Sequence, residues 1–291
     1  MFPIFSAIAA TTLFSGTALI WKRLRDRGVG TAGALALGAT AIPLWIALGI
    51  VFHFLGYAPA SGPQYFAFLA AWVIGAFTIN CTGTYLYRYR NLTELRAYQT
   101  SIAIFAAIVI DLAFFKTEIS PWSIVAVVLL FISGWILGEN SISTGKIRAA
   151  ISQGRVVVPV LTFNAFLQAI NIATYKMAIS YQTTPLFQAV VGETLLFTMF
   201  FAAGYRDIRK AAKEKKATWK SAFVIGFLLF LGTVFEIYMI KDFSVSLNIV
   251  LSVIPIAIYS FYDFKNRHVK ISKESVAALL LAIIGLVLAQ F

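Results

Sequence analysis

The residue best suited to do chemistry is Glu193, a carboxylic acid in the middle of an apolar stretch. A carboxylate near the centre of a bilayer costs about 3 kcal/mol on insertion scales. We therefore expect Glu193 to face the interior of a helix bundle, where a proton, a cationic substrate or a basic partner such as Lys176 neutralises it. Glu236 shares a helical face with Thr233 and is a second candidate, with an ion pair to Lys241 as the alternative. The two acids predict a site for proton or ion coupling.

Polar side chains recur at helical spacing in several apolar stretches. Residues at i, i+4, i+7 and i+11 lie on one face of a helix, and such polar stripes in lipid face a water-filled pathway or another helix. Packing through interhelical hydrogen bonds is the alternative to a pathway. The predicted substrate-binding residues are Asn164, Gln168, Asn171, Tyr175, Asn80, Tyr98, Ser252 and Tyr259.

Pro255 interrupts the stripe that includes Asn248, Ser252 and Tyr259. Proline has no N–H, so it leaves a carbonyl of the preceding turn without its helical donor. Substrate, water or a neighbouring side chain can satisfy that carbonyl in a membrane. We predict a helix kink at Pro255, with or without a functional role.

The elements that hold these residues are predicted to be transmembrane helices. The 291 residues are 60% hydrophobic and 12% charged, with a mean hydropathy of +0.83, which excludes soluble domains. A span takes about 20 residues, so ten spans use about 200 and leave about 90 for connections. The apolar runs are continuous and do not alternate as barrel strands would. The predicted fold class is an all-α polytopic membrane protein with ten transmembrane helices.

Charged or Pro/Gly-bearing breaks separate the apolar runs, which we number first to tenth, with the connections numbered likewise. The runs span 3–20, 32–55, 65–86, 94–115, 121–138, 156–178, 186–204, 220–240, 244–262 and 274–290.

Positive charge is concentrated in the odd-numbered connections. The formal net charge is +12, and the segment 206–220 is the most basic, whereas the second connection, 56–64, carries no charge. By the positive-inside rule the odd connections are cytoplasmic and both termini lie outside. The charge is thus attributed to topology and not to nucleic-acid binding, with anionic lipid head groups as a further candidate partner of 206–220.

The remaining composition suits a prokaryotic plasma membrane, because the connections are short and Cys81 is the only cysteine. Tryptophans near the ends of runs are predicted to form a belt at the membrane–water interface. They are Trp45, Trp72, Trp122, Trp135 and Trp219.

An internal repeat divides the chain into the halves 1–150 and 151–291. The pattern that starts at Asp111 reappears at Asp263, each Asp preceding an Ile-Ser that opens the next helix. A helix-end ion pair, with Lys116 as a neighbour, is the expected role of Asp111. Each half contains five runs, and five is odd, so the second half enters the membrane inverted. Many secondary transporters have this plan, with the substrate site near the midplane between the halves.

Small residues four apart follow the repeated pattern in both halves. Gly134 and Gly138 have this spacing in the fifth run, and Gly285 and Ala289 have it in the tenth. Such spacing lets helix backbones approach closely in lipid. We predict helix packing there, either as a spine of the fifth and tenth helices within one chain or in a homodimer.

With these features the chain resembles the drug/metabolite transporter superfamily, in its ten-helix EamA-like branch. The resemblance rests on the five-plus-five plan, the proline-broken stretch 251–257 and the helix opening at 271–285. It implies a secondary active carrier that moves a small polar or amphipathic metabolite by alternating access. In such a carrier Glu193 or Glu236 would be the proton or ion site. The alternative is a flippase-like or partner-dependent subunit that handles a lipid-linked head group.

Enzymatic chemistry has little support in the sequence. His53 and His268 are the only histidines, so no His-rich metal site can be assembled. The sequence contains no P-loop, no Gly-rich dinucleotide turn and no pair of Asp-rich motifs for Mg²⁺-diphosphate. We predict no enzyme, no metal and no cofactor; the expected partners are a small-molecule substrate, protons and membrane lipids.

Overall fold

The computed structural model is helical, without strands in the part that it describes, which is 2–58, 60–86, 92–116, 121–140, 157–182, 184–214, 218–251, 253–267 and 273–288. The helices are α1 (Phe2–Asp26), α2 (Thr31–Ala36), α3 (Ile42–Phe54), α4 (Pro63–Leu86), α5 (Leu92–Ile110), α6 (Pro121–Asn140), α7 (Val157–Ser180), α8 (Pro185–Lys213), α9 (Trp219–Asp242), α10 (Val245–Val250), α11 (Val253–Arg267) and α12 (Lys273–Leu288). A 3₁₀ segment, Leu37–Ala41, joins α2 to α3, and a π-helical segment, Asp111–Phe115, follows α5. Each predicted run contains helix, so the all-α class is confirmed.

Four helical segments within the described ranges are long and apolar enough to cross a membrane. They are Thr31–Phe54, Pro63–Leu86, Pro185–Lys213 and Trp219–Asp242. Membrane-protein character is therefore supported at this level, and the number of ten spans stays a prediction.

Many large apolar side chains are exposed on the described helical segments. Phe54, Phe114 and Trp219 are 83%, 78% and 86% exposed, whereas Ala10 and Ser15 are fully buried. A water-soluble protein rarely exposes contiguous apolar surface of this kind. Large side chains outside and small ones between helices are what packing in lipid requires.

The structure divides into two compact units. Unit 1 consists of Met1–Arg88 and Asn171–Asp242, and unit 2 consists of Tyr89–Ile170 and Phe243–Phe291. Unit 1 combines one stretch from each side of residue 150, and the first stretch of unit 2 crosses that residue, so the units do not coincide with the predicted halves 1–150 and 151–291. The predicted halves depend on similarity between two parts of the sequence, whereas the two units are defined by which residues are in contact. The two divisions therefore do not test each other. The inverted repeat stays a prediction.

In unit 1, α1 packs against α9, while α2, α3 and α4 pack against α8. Glycine makes the crossing of α2 and α8 possible: a Cβ at Gly204 would overlap the backbone carbonyl of Ala32, and one at Gly33 would overlap Asp207. The Thr40 hydroxyl donates a hydrogen bond of 2.7 Å to the carbonyl of Ala222 on α9. Backbone is therefore in contact with backbone across this unit.

In unit 2, the most extensive helix contact joins α6 to α12, which are the fifth and tenth runs. The buried Ser133 hydroxyl donates to the carbonyl of Ala278 at 2.7 Å, and Ile136 packs against Ile256 and Ala278. Gly285 is buried on α12. A packing role for Gly134, Gly138 and Gly285 stays a prediction.

The connections of unit 1 alternate between its two ends. The N–H of Ala60 donates to the Gln182 side chain at 3.0 Å, and the Tyr181 hydroxyl donates to Gln64 at 3.0 Å, so the second and sixth connections meet. At the opposite ends of these helices Asp207 lies against Gly30, so the first and seventh connections meet. In unit 1 the even-numbered connections thus lie at one end of the helices and the odd-numbered connections at the other, as helices that cross the membrane in alternating directions require. Which end is cytoplasmic stays a prediction.

The ninth run is broken between α10 and α11. The Leu251 carbonyl accepts from the N–H of Ile254 at 3.1 Å, which is a tighter turn than that of an α-helix. The usual donor to Leu251 would be residue 255, and Pro255 has no N–H. Pro255 itself is buried in the first turn of α11, where a missing N–H is tolerated. The predicted kink thus takes the form of a helix break that precedes the proline.

Candidate functional site

The candidate site lies in unit 1, where α8 and α9 bring two carboxyl groups together. Glu193 on α8 is 5% exposed, and the Thr233 hydroxyl on α9 donates to its Oε1 at 3.5 Å, which is long for a hydrogen bond. Glu236 is half-buried and lies one helical turn after Thr233. The two acids that the sequence singled out are therefore neighbours.

Glu193 has no cationic partner within the described part of the chain. The Thr233 hydroxyl donates to its carboxyl, and Glu236 lies one turn further along α9. Lys176, the basic partner considered from the sequence, makes no ion pair with it. A buried carboxylate is disfavoured by desolvation and by a like charge, so this position requires a proton or a bound cation.

An aromatic pair packs beside the two acids. The Trp72 indole of α4 stacks on the Tyr175 ring of α7, with centroids 4.3 Å apart and planes 13° apart. The six-membered ring of the indole also lies directly against Gly192, where a Cβ would overlap it. The Asn171 amide donates to the Trp72 carbonyl at 2.7 Å, which ties α7 to α4. Because Gly192 precedes Glu193, this packing fixes the position of the acid.

Several buried polar groups of unit 1 have no hydrogen-bond partner among the described residues. The hydroxyl of Tyr175 is one, and this residue is 1% exposed. Both amide atoms of Gln188 on α8 and the indole nitrogen of Trp45 on α3 are others, each in a fully buried side chain. An unsatisfied buried polar group costs about 1–3 kcal/mol. Such groups are candidates for contact with a ligand.

The predicted substrate stripe of the sixth run is divided between the units. Asn171 and Tyr175 belong to unit 1 and Asn164 and Gln168 to unit 2. In unit 2, the buried Asn164 accepts a hydrogen bond of 2.6 Å from Gln99, a residue that the sequence patterns did not single out. This hydrogen bond between helices is what the packing alternative predicts for Asn164. Its substrate role stays a prediction.

The other predicted substrate residues lie elsewhere. Asn80 on α4 donates to the carbonyl of Ala76 in its own helix at 2.8 Å. Tyr259 is buried on α11 in unit 2. Tyr98 lies on α5, and Ser252 falls outside the described residues.

Trp72 and Gln188 are the parts of the site that sequence patterns misplaced or missed. The sequence predicts Trp72 and Trp45 at the membrane–water interface, but they are 4% and 0% exposed, whereas Trp122 and Trp219 are exposed. The sequence signal for Gln188 is an amide inside an apolar run, four residues before Gly192. Within the described ranges no three His, Cys, Asp or Glu side chains come together as a metal site.

Fold and site together define an all-helical membrane protein with a buried acidic cluster. No family model matches the chain, and no curated protein matches it. Its fold is shared with solved structures, of which 24 chains match. One of them, described only as the crystal structure of a protein, has a TM-score of 0.66 and 13% sequence identity, over 99% of this chain and 96% of the other. At that identity the similarity establishes a common fold alone.

Proposed function

We propose that the protein is a secondary active transporter that moves a small polar or amphipathic metabolite across a prokaryotic plasma membrane, with Glu193 as the site of the coupling proton. The observation that carries this proposal is a carboxyl group 5% exposed on a membrane-spanning helix, beside Glu236 and without a cationic partner among the described residues. A purely structural acid in such a position would be paired.

Exchange at one carboxyl group provides a simple coupling mechanism. Protonated Glu193 is neutral and tolerates burial, while its ionised form needs a cation in its place. A substrate that binds only the ionised form must displace the proton, and the proton must return before the empty carrier reorients. Glu236 strengthens the competition because its charge disfavours an ionised, unoccupied Glu193.

The finer topology belongs to the same proposal. Ten spans arranged as an inverted five-plus-five repeat, as in the drug/metabolite transporter superfamily, would place the odd connections in the cytoplasm. The alternation of connection ends in unit 1 supports up-and-down spans. α8, with 29 residues, is about 43 Å long. It therefore extends beyond a hydrocarbon core of about 30 Å and would place its exposed Arg209, Lys210 and Lys213 among anionic lipid head groups.

The test is proton flux in proteoliposomes that are screened against pools of amino acids, nucleobases, amines and sugars. Wild type and Asp242→Asn, which alters an exposed acid at the end of α9, should give substrate-dependent flux. Glu193→Gln should abolish that flux while retaining exchange of substrate across the membrane. An unchanged flux in Glu193→Gln would refute the coupling role, and the absence of flux with every water-soluble pool would refute the transporter.

A further inference from the structure

The N-terminus of α10 is held by Asp111, which lies directly after α5 in the π-helical segment Asp111–Phe115. Its carboxylate accepts from the first two N–H groups of α10, at 2.9 and 2.7 Å. The next two N–H groups are satisfied locally, because Leu247 donates to the Ser244 hydroxyl and Asn248 donates to the Ser244 carbonyl. An α-helix leaves four N–H groups open at its start, and α10 therefore depends on Asp111 for two of them.

The opposite end of α10 is the break before α11. The Ile254 N–H donates to the Leu251 carbonyl in a tight turn, and Pro255 supplies no N–H. The hydrogen bonds that stiffen a continuous helix are interrupted at this point, and such a connection can absorb changes of φ and ψ as hinges do. α10 is consequently a helix of six residues, about 9 Å long, that is fastened at one end and hinged at the other.

The backbone that presents Asp111 to α10 is unusual. The π-helical segment ends at Lys116, whose φ of 48° is left-handed. Residues other than glycine rarely adopt this conformation, which persists where the surrounding structure requires it. π-helical turns are also frequent at functional sites. Because Asp111 is 1% exposed, its carboxylate is directed to α10 and not to solvent.

The packing of α10 contains an unsatisfied group. α10 contacts α5 and α6, and Asn248 and Ile249 are 3% and 0% exposed. The Oδ1 of Asn248 has no hydrogen-bond partner among the described residues. A buried acceptor without a donor costs free energy only while it stays buried. The contact with Asp111 therefore stabilises the closed position of α10, whereas Asn248 favours its opening.

We propose that α10 is a movable half-helix of unit 2, which Asp111 holds in a closed position and which opens by rotation about the break before α11. Opening gives water access to Asn248 and Ile249. The inference goes beyond the proposed transport function, because it concerns the motion of α10 whatever the protein carries.

The experiment measures how fast buried cysteines react with N-ethylmaleimide in the full-length protein in lipid nanodiscs, in a Cys81→Ser background. Ile249→Cys reports on α10. Ile256→Cys is the matched control, because Ile256 is equally buried, lies beyond the break on α11 and packs against Ala278 of α12.

Each cysteine is then combined with one of two further substitutions. Asp111→Asn weakens the contact that holds α10, and Ser133→Ala removes a hydrogen bond between α6 and α12. Both lower the stability of unit 2, but only the first acts on α10.

Ile249→Cys should react faster than Ile256→Cys, because α10 opens while α11 stays in place. Asp111→Asn should raise the rate of Ile249→Cys about tenfold, the equivalent of one weakened hydrogen bond to a charged group. Ser133→Ala should leave that rate unchanged and raise only the rate of Ile256→Cys, because the contact of α6 with α12 persists while α10 is open.

Equal rates for the two cysteines would overturn the proposal, and this comparison does not require Asp111→Asn to fold. An equal rise of the Ile249→Cys rate in Ser133→Ala and in Asp111→Asn would overturn it as well, since α10 would then be exposed only when the whole unit unfolds. Absence of transport in proteoliposomes would refute the proposed function and leave these rates unaffected.

Discussion

The carboxylate of Asp111 accepts a hydrogen bond from the backbone N–H of Val245 at 2.9 Å. Its second oxygen accepts one from the N–H of Ser246 at 2.7 Å. Asp111 is 1% exposed, so a buried acid at the end of the fourth run caps α10 at the start of the ninth. The expected ion pair with Lys116 is thus replaced by backbone donors, which stabilise an anion at a helix N-terminus.

Replacement of Asp111 should destabilise unit 2. Asp111→Ala leaves two buried N–H groups without acceptors and is expected to lower the free energy of unfolding by about 3 kcal/mol. Asp111→Asn retains one acceptor and should lose about half as much. Denaturant titration in mixed micelles measures both, with the exposed Asp242→Asn as the control. Stability equal to wild type in Asp111→Ala would contradict the capping role.

Gly204 and Gly83 provide a matched pair of helical glycines. A Cβ at Gly204 would overlap the Ala32 backbone, whereas one at Gly83 meets nothing within 4 Å. Gly204→Ala should therefore lower the unfolding midpoint, because backbone must move. Gly83→Ala should leave the midpoint unchanged or raise it, since alanine is favoured over glycine in a helix by about 1 kcal/mol. Equal effects of the two changes would show that α2 and α8 do not cross closely.

Substitution of Gln188 tests whether the buried polar groups without a hydrogen-bond partner are unsatisfied in the ligand-free protein. Gln188→Met removes an amide that has no hydrogen-bond partner among the described residues and keeps the side-chain volume. The free energy of unfolding of the ligand-free protein should rise by about 1–3 kcal/mol. Lower stability than wild type in the same denaturant titration would mean that the amide is already satisfied.

Ser133 reports on the contact between α6 and α12. Ser133→Ala removes the hydrogen bond to the Ala278 carbonyl and should lower the free energy of unfolding by about 1 kcal/mol, the usual value for interhelical bonds in membranes. Ser133→Leu should lower it more, because the position is fully buried. If the leucine variant is as stable as the alanine variant, the two helices are not in close contact there.

Connection ends can be assigned by cysteine labelling in a Cys81→Ser background. Cysteines placed at Gln64 and Tyr181 should react from the same side of the membrane, because these side chains are bonded to each other. Cysteines at Arg27 and Arg209 should react from the other side, which the positive-inside rule makes cytoplasmic. Labelling of Gln64 and Arg209 from one side would contradict the alternating spans.

The sequence predicts the helices well because their limits depend on local chemistry. The run 186–204 begins one residue inside α8, which starts at Pro185, and α8 ends later because basic residues continue the helix beyond the apolar part. Partners across the fold were not predictable in the same way. Nothing local distinguishes Trp72, stacked on Tyr175, from the exposed Trp219, and nothing local pairs Asp111 with Val245. These relationships depend on tertiary contacts between distant stretches.

The interleaving of the two units has a consequence for biosynthesis. Unit 1 lacks its second stretch until translation reaches Asp242, and unit 2 lacks its own until α12 has been made. The surfaces of α1 and α2 that pack against α9 and α8 in the finished protein therefore stay uncovered while the rest of the chain is being inserted. Nascent chains that stop before α8 should be targets for membrane proteases, because these faces stay uncovered.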